Sequence, residues 1–299
     1  MLLRSLKQRV ETRTSRNVTM RSAGRQEMVE ALQRGHVMEA VLREDRRQEQ
    51  ERMSMGEYTH VSSLIGMCPR QHALAFESGV PIFKKVTGGH RVMWIIGKAV
   101  EKHIRTQFIN GSPGTLYGGW HCNCGRWSVS GLHREVVTPC LKCGGLPEHY
   151  HELPMYDHSN KIVGSPDLPF IHNRKIIIGE IKSVRPEDFD TMERPIGNHV
   201  FQAAAYRRLY KLNGFEVDDL VSIVYCTKRF RFGTPYKEFH EDVSVEQWET
   251  QMDRAWELAG QFSEYQENRR LPSRVICNTP QQTRARNCPM IAQCFGRNG

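Results

Sequence analysis

Glu180 and Lys182 interrupt the most strand-like run of the chain, residues 176–181 (IIIGEI), and their spacing puts both side chains on one face of a strand. An apolar run of this kind is ordinarily buried on both faces. Burying two charges is costly unless something compensates. One reading is an ion pair at a fraying, solvent-facing strand end. The other is chemical. Upstream, GSPDL uses Gly164 and Pro166 to shape a turn that presents Asp167 at the edge of the preceding strand. Asp followed, after a hairpin, by Glu-x-Lys supplies what phosphodiester hydrolysis needs. Two carboxylates offer hard oxygen ligands to Mg²⁺ or Mn²⁺, and such an ion polarises phosphorus and acidifies bound water. Lys182 can orient or deprotonate that water and balance transition-state charge. The backbone carbonyl of Ile181, between the two charged residues, is a further candidate ligand.

Nine cysteines are a second chemical resource. Cys122-Asn-Cys124 and Cys140-Leu-Lys-Cys143 form C-x-C followed by C-x2-C, each next to a glycine (Gly125, Gly144). Four thiolates at this spacing suit tetrahedral Zn²⁺, with glycine knuckles that let backbone N–H groups approach sulfur. His121 or His133 could replace one thiolate. The expectation is a closed structural zinc ribbon, stapling a segment with little apolar content. Its Arg126, Trp127, His133 and Arg134 are candidate nucleic-acid contacts. Cys68, Cys277, Cys288 and Cys294 lie outside the ribbon, three of them in a short polar tail; buried free thiols are the plain alternative there. Cys226, mid-strand, reads as core.

GSPD followed by GEIKS resembles the PD-(D/E)XK nuclease superfamily, with Asp167, Glu180 and Lys182 as its defining residues. Gln202 and Tyr206, four apart in VFQAAAY and so on one helix face, are similar to the Q-x-x-x-Y motif of RecB-like nucleases. Gly97 followed four residues later by Glu101 is similar to that family's first motif. Iron–sulfur members carry His at that ligand position and the lambda-exonuclease-like branch carries Glu; His103 is the nearby alternative. In iron–sulfur members, including the CRISPR-associated RecB-like exonucleases, one Cys precedes the core and three follow it. The resemblance therefore implies a [4Fe–4S] cluster on Cys68, Cys277, Cys288 and Cys294. Ten residues separate Cys277 from Cys288 where a C-x2-C is usual, which leaves zinc or an open cluster as alternatives.

Elements must position these groups. Residues 58–79 read as helical turns capped by Ser62 or Ser63, broken near Cys68 by Pro69 and closed by Gly79. A helix over about 90–109 has Val92, Ile95, Ile96, Val100 and Ile104 at helical spacing. Residues 113–147 are Gly- and Cys-rich without periodicity. Short strands at 161–164 and 168–172 lead to a turn at Asn173-Arg174 and a strand at 175–184. A helix over 195–213 ends at Gly214. Strands follow at 220–227 and 236–240. A last long helix starts at Ser244, with Gln247 completing a capping box and Trp248, Met252, Trp256 and Phe262 on its core face. Strands alternating with helices predict an α/β fold. With the resemblance, this becomes a restriction-endonuclease-like core of a mixed central β-sheet flanked by helices, plus a zinc-ribbon insert and a cysteine-clamped C-terminal tail. The expected divisions are a basic helical extension (1–57), a helical part of the nuclease domain (58–112), the ribbon (113–148), the nuclease core (149–272) and the cluster-binding tail (273–299).

At 299 residues with net charge +9, the chain can bury one substantial core and favours a polyanionic partner. Arg70, Arg91, Lys98, Lys102, Arg207 and Arg208 are candidate phosphate contacts. No apolar run is long enough for a bilayer helix, and no G-x4-GK[ST] segment encodes an ATPase motor. The absence of an apolar signal segment leads to the expectation of a cytoplasmic protein (host cytoplasm if viral). The Arg/Ser-rich first 25 residues leave organellar import as the alternative. The functional expectation is a metal-dependent DNA exonuclease acting on single strands or ends in recombination, repair or replication. A helicase, recombinase or single-strand-binding protein would be a further partner. An endonuclease of the same superfamily and a catalytically idle DNA-binding or assembly module are the alternatives, and a zinc-ribbon transcription factor the most distant one.

Overall fold

A proline has no N–H to give a helix interior, and Pro69 divides the first helical segment. Strand β1 (Thr59–His60) runs into α1 (Val61–Leu64), and α2 (Pro69–Ser78) starts at Pro69 with Cys68 as its N-cap residue. Gly79, at φ 65°, closes it in the left-handed conformation that glycine adopts freely. The serines do not cap: extended His60 precedes α1, and Ser62 and Ser63 lie inside it. The computed structural model describes residues 57–79, 88–112, 115–125, 128–132, 139–145, 147–227 and 234–296, all within a compact unit, Met55–Gly299. The expected N-terminal extension, apart from Glu57, lies outside the described residues.

The second expected helix is α3 (Gly88–Gly111). Only its later turns are used for the core: Ile104 packs with Phe108 and Ile109, whereas Val92, Ile95 and Ile96 are 52%, 48% and 38% exposed. Periodicity identifies a helix but not how much of it a sheet can cover. The cysteine-rich segment is more regular than expected. Strands β2 (Tyr117–Cys122), β3 (Ser128–Leu132) and β4 (Pro147–His151) form an antiparallel sheet in the order β3-β2-β4. Glycines at 118 and 119 hid its alternation. Trp120 is fully buried in a cluster with Leu116, Leu168 and Ile181, so the ribbon's sheet packs against the central strands.

Strands β5 (Met155–Asp157) and β6 (Ile162–Gly164) join β1 in a small sheet of order β1-β6-β5. The larger sheet starts with the hairpin of β7 (Leu168–His172) and β8 (Lys175–Val184). Its turn residues Asn173 and Arg174 both have positive φ, 48° and 68°, the two-residue geometry whose twist matches a hairpin. That turn sets the register, with Leu168 opposite Gly179. Asp167, the residue before β7, follows directly on that last pair, as Glu180 does on β8.

From β8 the chain crosses through α4 (Pro186–Thr191) and α5 (Gly197–Leu212) to β9 (Val217–Thr227), which pairs with β8 in parallel. A parallel partner requires such a crossover. β10 (Tyr236–Asp242) then pairs antiparallel with β9, giving a mixed sheet of order β10-β9-β8-β7 flanked by helices. Ile176, Ile178 and Val184 of β8 share the main core with Val200, Ala204 and Leu209 of α5. Met252, Trp256 and Phe262 of α6 (Glu246–Asn268) complete it. The expected capping box does not form. Val245 precedes α6, and the Ser244 hydroxyl instead donates to Asp242 Oδ1 at 2.7 Å, where the strand ends. Two short helices, α7 (Thr283–Arg286) and α8 (Ile291–Gly296), form the tail. Met290 packs on Leu74 and Ala75 of α2, and Arg70 of α2 donates to the Pro272 carbonyl at 2.8 Å. No described helix is long and apolar enough to cross a membrane.

Candidate active site

Because β7 and β8 are antiparallel, residues directly opposite share a face, and one hairpin delivers both acidic groups. Asp167 Oδ2 accepts the backbone N–H of Ile181 at 2.9 Å. Glu180 is 2% exposed; its Oε1 accepts a hydrogen bond from Lys182 Nζ, while its Oε2 is buried without a partner. Burial, then the negative charge of Asp167, pushes Glu180 up to about 8. Asp167 is raised as well, by burial and by the charge of Glu101. For Lys182 burial pulls downward, but the charges of Glu180 and Asp167 prevail and hold the ammonium above its ordinary value. A buried carboxylate oxygen without a donor, beside a second carboxylate, is a place where a hard cation fits.

Glu101 reaches this point from α3. The approach depends on Gly97, where a Cβ would stand 3.0 Å from Ser183 Oγ of β8. Glu101 is buried, whereas His103, the alternative ligand, points into solvent. Glu101 accepts from Lys98 Nζ at 2.6 Å and from Arg105 Nη2 at 2.8 Å. The same Arg105 nitrogen donates to Glu152 at 2.6 Å, and Arg105 Nε donates to the Asp167 carbonyl at 3.1 Å. Carboxylate oxygens of Glu101, Glu152 and Asp167 consequently lie within 4.8 Å of one another. The sequence reading missed Arg105 and Glu152. The i,i+4 pairing of Glu101 with Arg105 is legible on a helix. Nothing local marks Glu152, which lies between β4 and β5.

Gln202 and Tyr206 share the inner face of α5, and Gln202 Nε2 donates to the Tyr206 hydroxyl at 2.9 Å. Gly164 makes room for the tyrosine ring: a Cβ there would come within 2.6 Å of it. Burial and then the charge of Glu180 raise the Tyr206 hydroxyl, which keeps it neutral beside the carboxylates. His199, also missed, hydrogen-bonds through Nδ1 to the Tyr225 hydroxyl at 2.9 Å. Burial and then the positive charge of Lys182 lower it to about 4, so an uncharged imidazole stands near the lysine.

The ribbon cysteines converge. Cys122 and Cys143 have their sulfurs 3.2 Å apart, Cys124 and Cys140 3.6 Å apart, and all four sulfurs fall within 4.8 Å of each other. Gly125 and Gly144 take positive φ (67° and 71°), and the Lys142 N–H approaches Cys140 Sγ at 3.4 Å. That N–H pulls the Cys140 thiol down to about 7. Such a quartet fits a zinc-ribbon-like insert. Cys68, Cys277, Cys288 and Cys294 line one small cavity together with Arg274, Met290 and Phe295. Arg274 donates twice to the Cys294 carbonyl (2.8 and 3.2 Å), and Arg284 donates to the Gly66 carbonyl beside Cys68. Cys226 is buried in β9, as expected.

The expected phosphate contacts divide. Arg70 and Arg207 are buried struts: Arg207 is 4% exposed and pairs with Asp219, Glu249 and the Asp218 carbonyl. Neither is available to a polyanion. Lys98 is engaged by Glu101, and Arg208 pairs with Asp253 while lying 4.8 Å over the Trp256 ring. Lys102 is exposed. The side chains of Arg91, Arg126, Trp127, His133 and Arg134 lie outside the described residues.

No family model matches the chain, and no curated protein matches it by sequence. Among solved structures, an alkaline exonuclease (LHK-Exo) from Laribacter hongkongensis aligns at 13% identity and TM-score 0.39, over 71% of this chain and 93% of that one. The same enzyme in complex with dAMP aligns at 14% and 0.37, over 74% and 95%. A protein designated SSO0001 aligns at 16% and 0.39, over 75% and 85%. Likeness at this distance does not extend to activity.

Proposed function

We propose that this chain is a divalent-metal-dependent nuclease that hydrolyses DNA phosphodiester bonds, acting as an exonuclease on single strands or ends. The observation that carries the reading is the hairpin pair. The Asp167 carboxylate accepts the N–H of Ile181, next to Glu180, Lys182 is bonded to Glu180, and Glu101 lies beside Asp167 from a different element. Asp167, Glu180, Glu101 and the Ile181 carbonyl would hold Mg²⁺ or Mn²⁺, and the orphaned Glu180 Oε2 fits such an ion. When bound, the ion supplies Lewis acidity at phosphorus and acidifies a water molecule.

The chain's own groups do the rest. Lys182 orients the attacking water with its ammonium and balances charge that develops on the phosphoryl oxygens. Tyr206 and Gln202, buried and hydrogen-bonded to each other, would screen the carboxylates from bulk solvent. His199, neutral and anchored by Tyr225, borders the same edge and can donate a hydrogen bond to a phosphate oxygen. The ribbon cysteines would bind structural Zn²⁺. Cys68, Cys277, Cys288 and Cys294, with cationic Arg274 and Arg284 near them, would hold an anionic [4Fe–4S] cluster clipping the tail to α2.

The test uses end-labelled linear single-stranded, linear double-stranded and closed circular DNA, each with Mg²⁺, Mn²⁺ or EDTA, beside Lys182→Ala. Degradation of linear DNA that needs metal and is lost in the variant is expected. Equal degradation by the variant would overturn the site, and cutting of closed circles would replace exonuclease by endonuclease. Anaerobic purification tests the cluster: a brown protein that bleaches with Cys294→Ala is expected, and a colourless one holding two zincs would refute it.

A further inference from the structure

The tail departs from the pattern it resembles at one place: ten residues separate Cys277 from Cys288. That span carries α7, whose Arg284 donates to the carbonyl of Gly66, two residues before Cys68. Two further arginines line the cavity of the four cysteines. Arg70, on α2, donates through Nη1 to the Pro272 carbonyl at 2.8 Å, while its Nε is buried without a partner. Arg274 donates to the Cys294 carbonyl at 2.8 and 3.2 Å. Each guanidinium is thus held by a backbone carbonyl, and among the described residues none of the three meets a carboxylate. Burial raises the Cys68 and Cys288 thiols, and a backbone N–H and the Arg284 charge act in the opposite direction at both. Three cations gathered without an anion repel one another, and negative charge on the sulfurs between them would relieve that.

We propose that the Cys277–Cys288 span is a charge clasp: α7 brings Arg284, which with Arg70 and Arg274 supplies the counter-charge of an anionic metal–thiolate centre on Cys68, Cys277, Cys288 and Cys294. The inference rests on the tail-centre part of the reading above and not on the hydrolytic site. Four thiolates outweigh the charge of zinc and of an oxidised iron–sulfur cluster alike, so either centre is net negative. Fixed guanidinium charge beside it opposes loss of the metal. For an iron–sulfur centre it also favours the reduced, more negative form and so raises the reduction potential. Arg284 is a positioning residue: it is exposed, and its hydrogen bond ties α7 to the turn before Cys68, closing the clasp on that side.

The full chain, purified anaerobically, is assayed for iron, sulfide and zinc beside Cys294→Ala, which identifies the tail's share of the metal. Release of that metal to EDTA is timed for the wild type, Arg284→Gln, Arg284→Lys and, as a control on the same short helix, Arg286→Gln. Glutamine keeps a donor for the Gly66 carbonyl and loses the charge; lysine keeps the charge. Arg284→Gln should release the metal at least about tenfold faster, with Arg284→Lys close to the wild-type rate and Arg286→Gln unchanged. If the metal is iron, the midpoint potential of Arg284→Gln should fall by about 59 mV, a tenfold change for one electron; if it is zinc, the release rate alone decides. Wild-type release by Arg284→Gln, or equal acceleration in Arg284→Lys, overturns the inference and leaves the centre standing. Equal metal content in the wild type and Cys294→Ala overturns the tail centre itself, whatever the state of the hydrolytic site.

Discussion

The side chain of Asp167 accepts the backbone N–H of Ile181 at 2.9 Å, linking the start of one strand to the residue between Glu180 and Lys182 on the next. Ile181 faces the other way with its side chain, into the cluster of Leu116, Trp120 and Leu168. Its backbone therefore serves the acidic face while its side chain anchors the ribbon's sheet.

That anchoring makes the ribbon part of the site's support. Trp120→Ala should cost about 3–5 kcal/mol, as removal of a fully buried aromatic does, and should lower nuclease rate under conditions where the variant remains folded. Urea unfolding and DNA degradation on one preparation check it. Wild-type rates in a destabilised but folded variant would show that the ribbon and the site are independent.

Gly97 sets how closely α3 approaches β8. Gly97→Ala would place a Cβ 3.0 Å from Ser183 Oγ, moving α3 and with it Glu101 and Arg105. A displacement of a few tenths of an ångström should slow hydrolysis by about tenfold, although Ala otherwise favours a helix. Ser183→Ala removes the obstructing oxygen, so the double variant should regain most of the rate. Additive losses in the double-mutant cycle would contradict this account.

Arg207 was expected at the DNA and is instead a strut between α5, β9 and α6. Arg207→Ala should destabilise the fold by roughly 2 kcal/mol, since its charged hydrogen bonds are partly solvent-screened at the carboxylate end. DNA affinity of the folded variant should equal the wild type's, with an unchanged salt slope. Filter binding across a salt series measures both quantities, and a shallower slope would restore Arg207 as a phosphate contact.

Asp157 provides a pH dependence. Burial pushes its carboxyl upward, but hydrogen bonds from Asn160, Trp256 and Ser159 outweigh that and hold it below the usual carboxylate range. A carboxylate depressed in the folded state contributes stability above its unfolded pKa and loses it as pH falls through the folded one. Stability should therefore decline below about pH 4, and Asp157→Asn should be less stable at neutral pH with a flatter acid limb. Thermal melts from pH 3 to 7 decide it; identical slopes for the two proteins would refute the assignment.

Much of the β7–β8 hairpin was legible because its determinants are local. Alternation in residues 168–172 and 175–184 and the two-residue turn at Asn173-Arg174 suffice to set Leu168 across from Gly179, which brings Asp167 and Glu180 to the same end of the hairpin. Pro69, Gly79 and Gly214 likewise mark helix ends through their own backbone chemistry. The capping box at Ser244 was misread because an equally local competitor, Asp242, takes the hydroxyl. What the tertiary structure alone decided depends on elements remote in the chain. Glu152 joins Asp167 and Glu101 through Arg105, His199 meets Lys182 by way of Tyr225, and Cys68 meets the tail cysteines in one cavity. Whether an arginine is a strut or a free cation is decided in the same way, by neighbours that no local spacing encodes. Short-range periodicity and turn chemistry carry the register of one hairpin; burial and long-range charge pairing arise only when the layers pack.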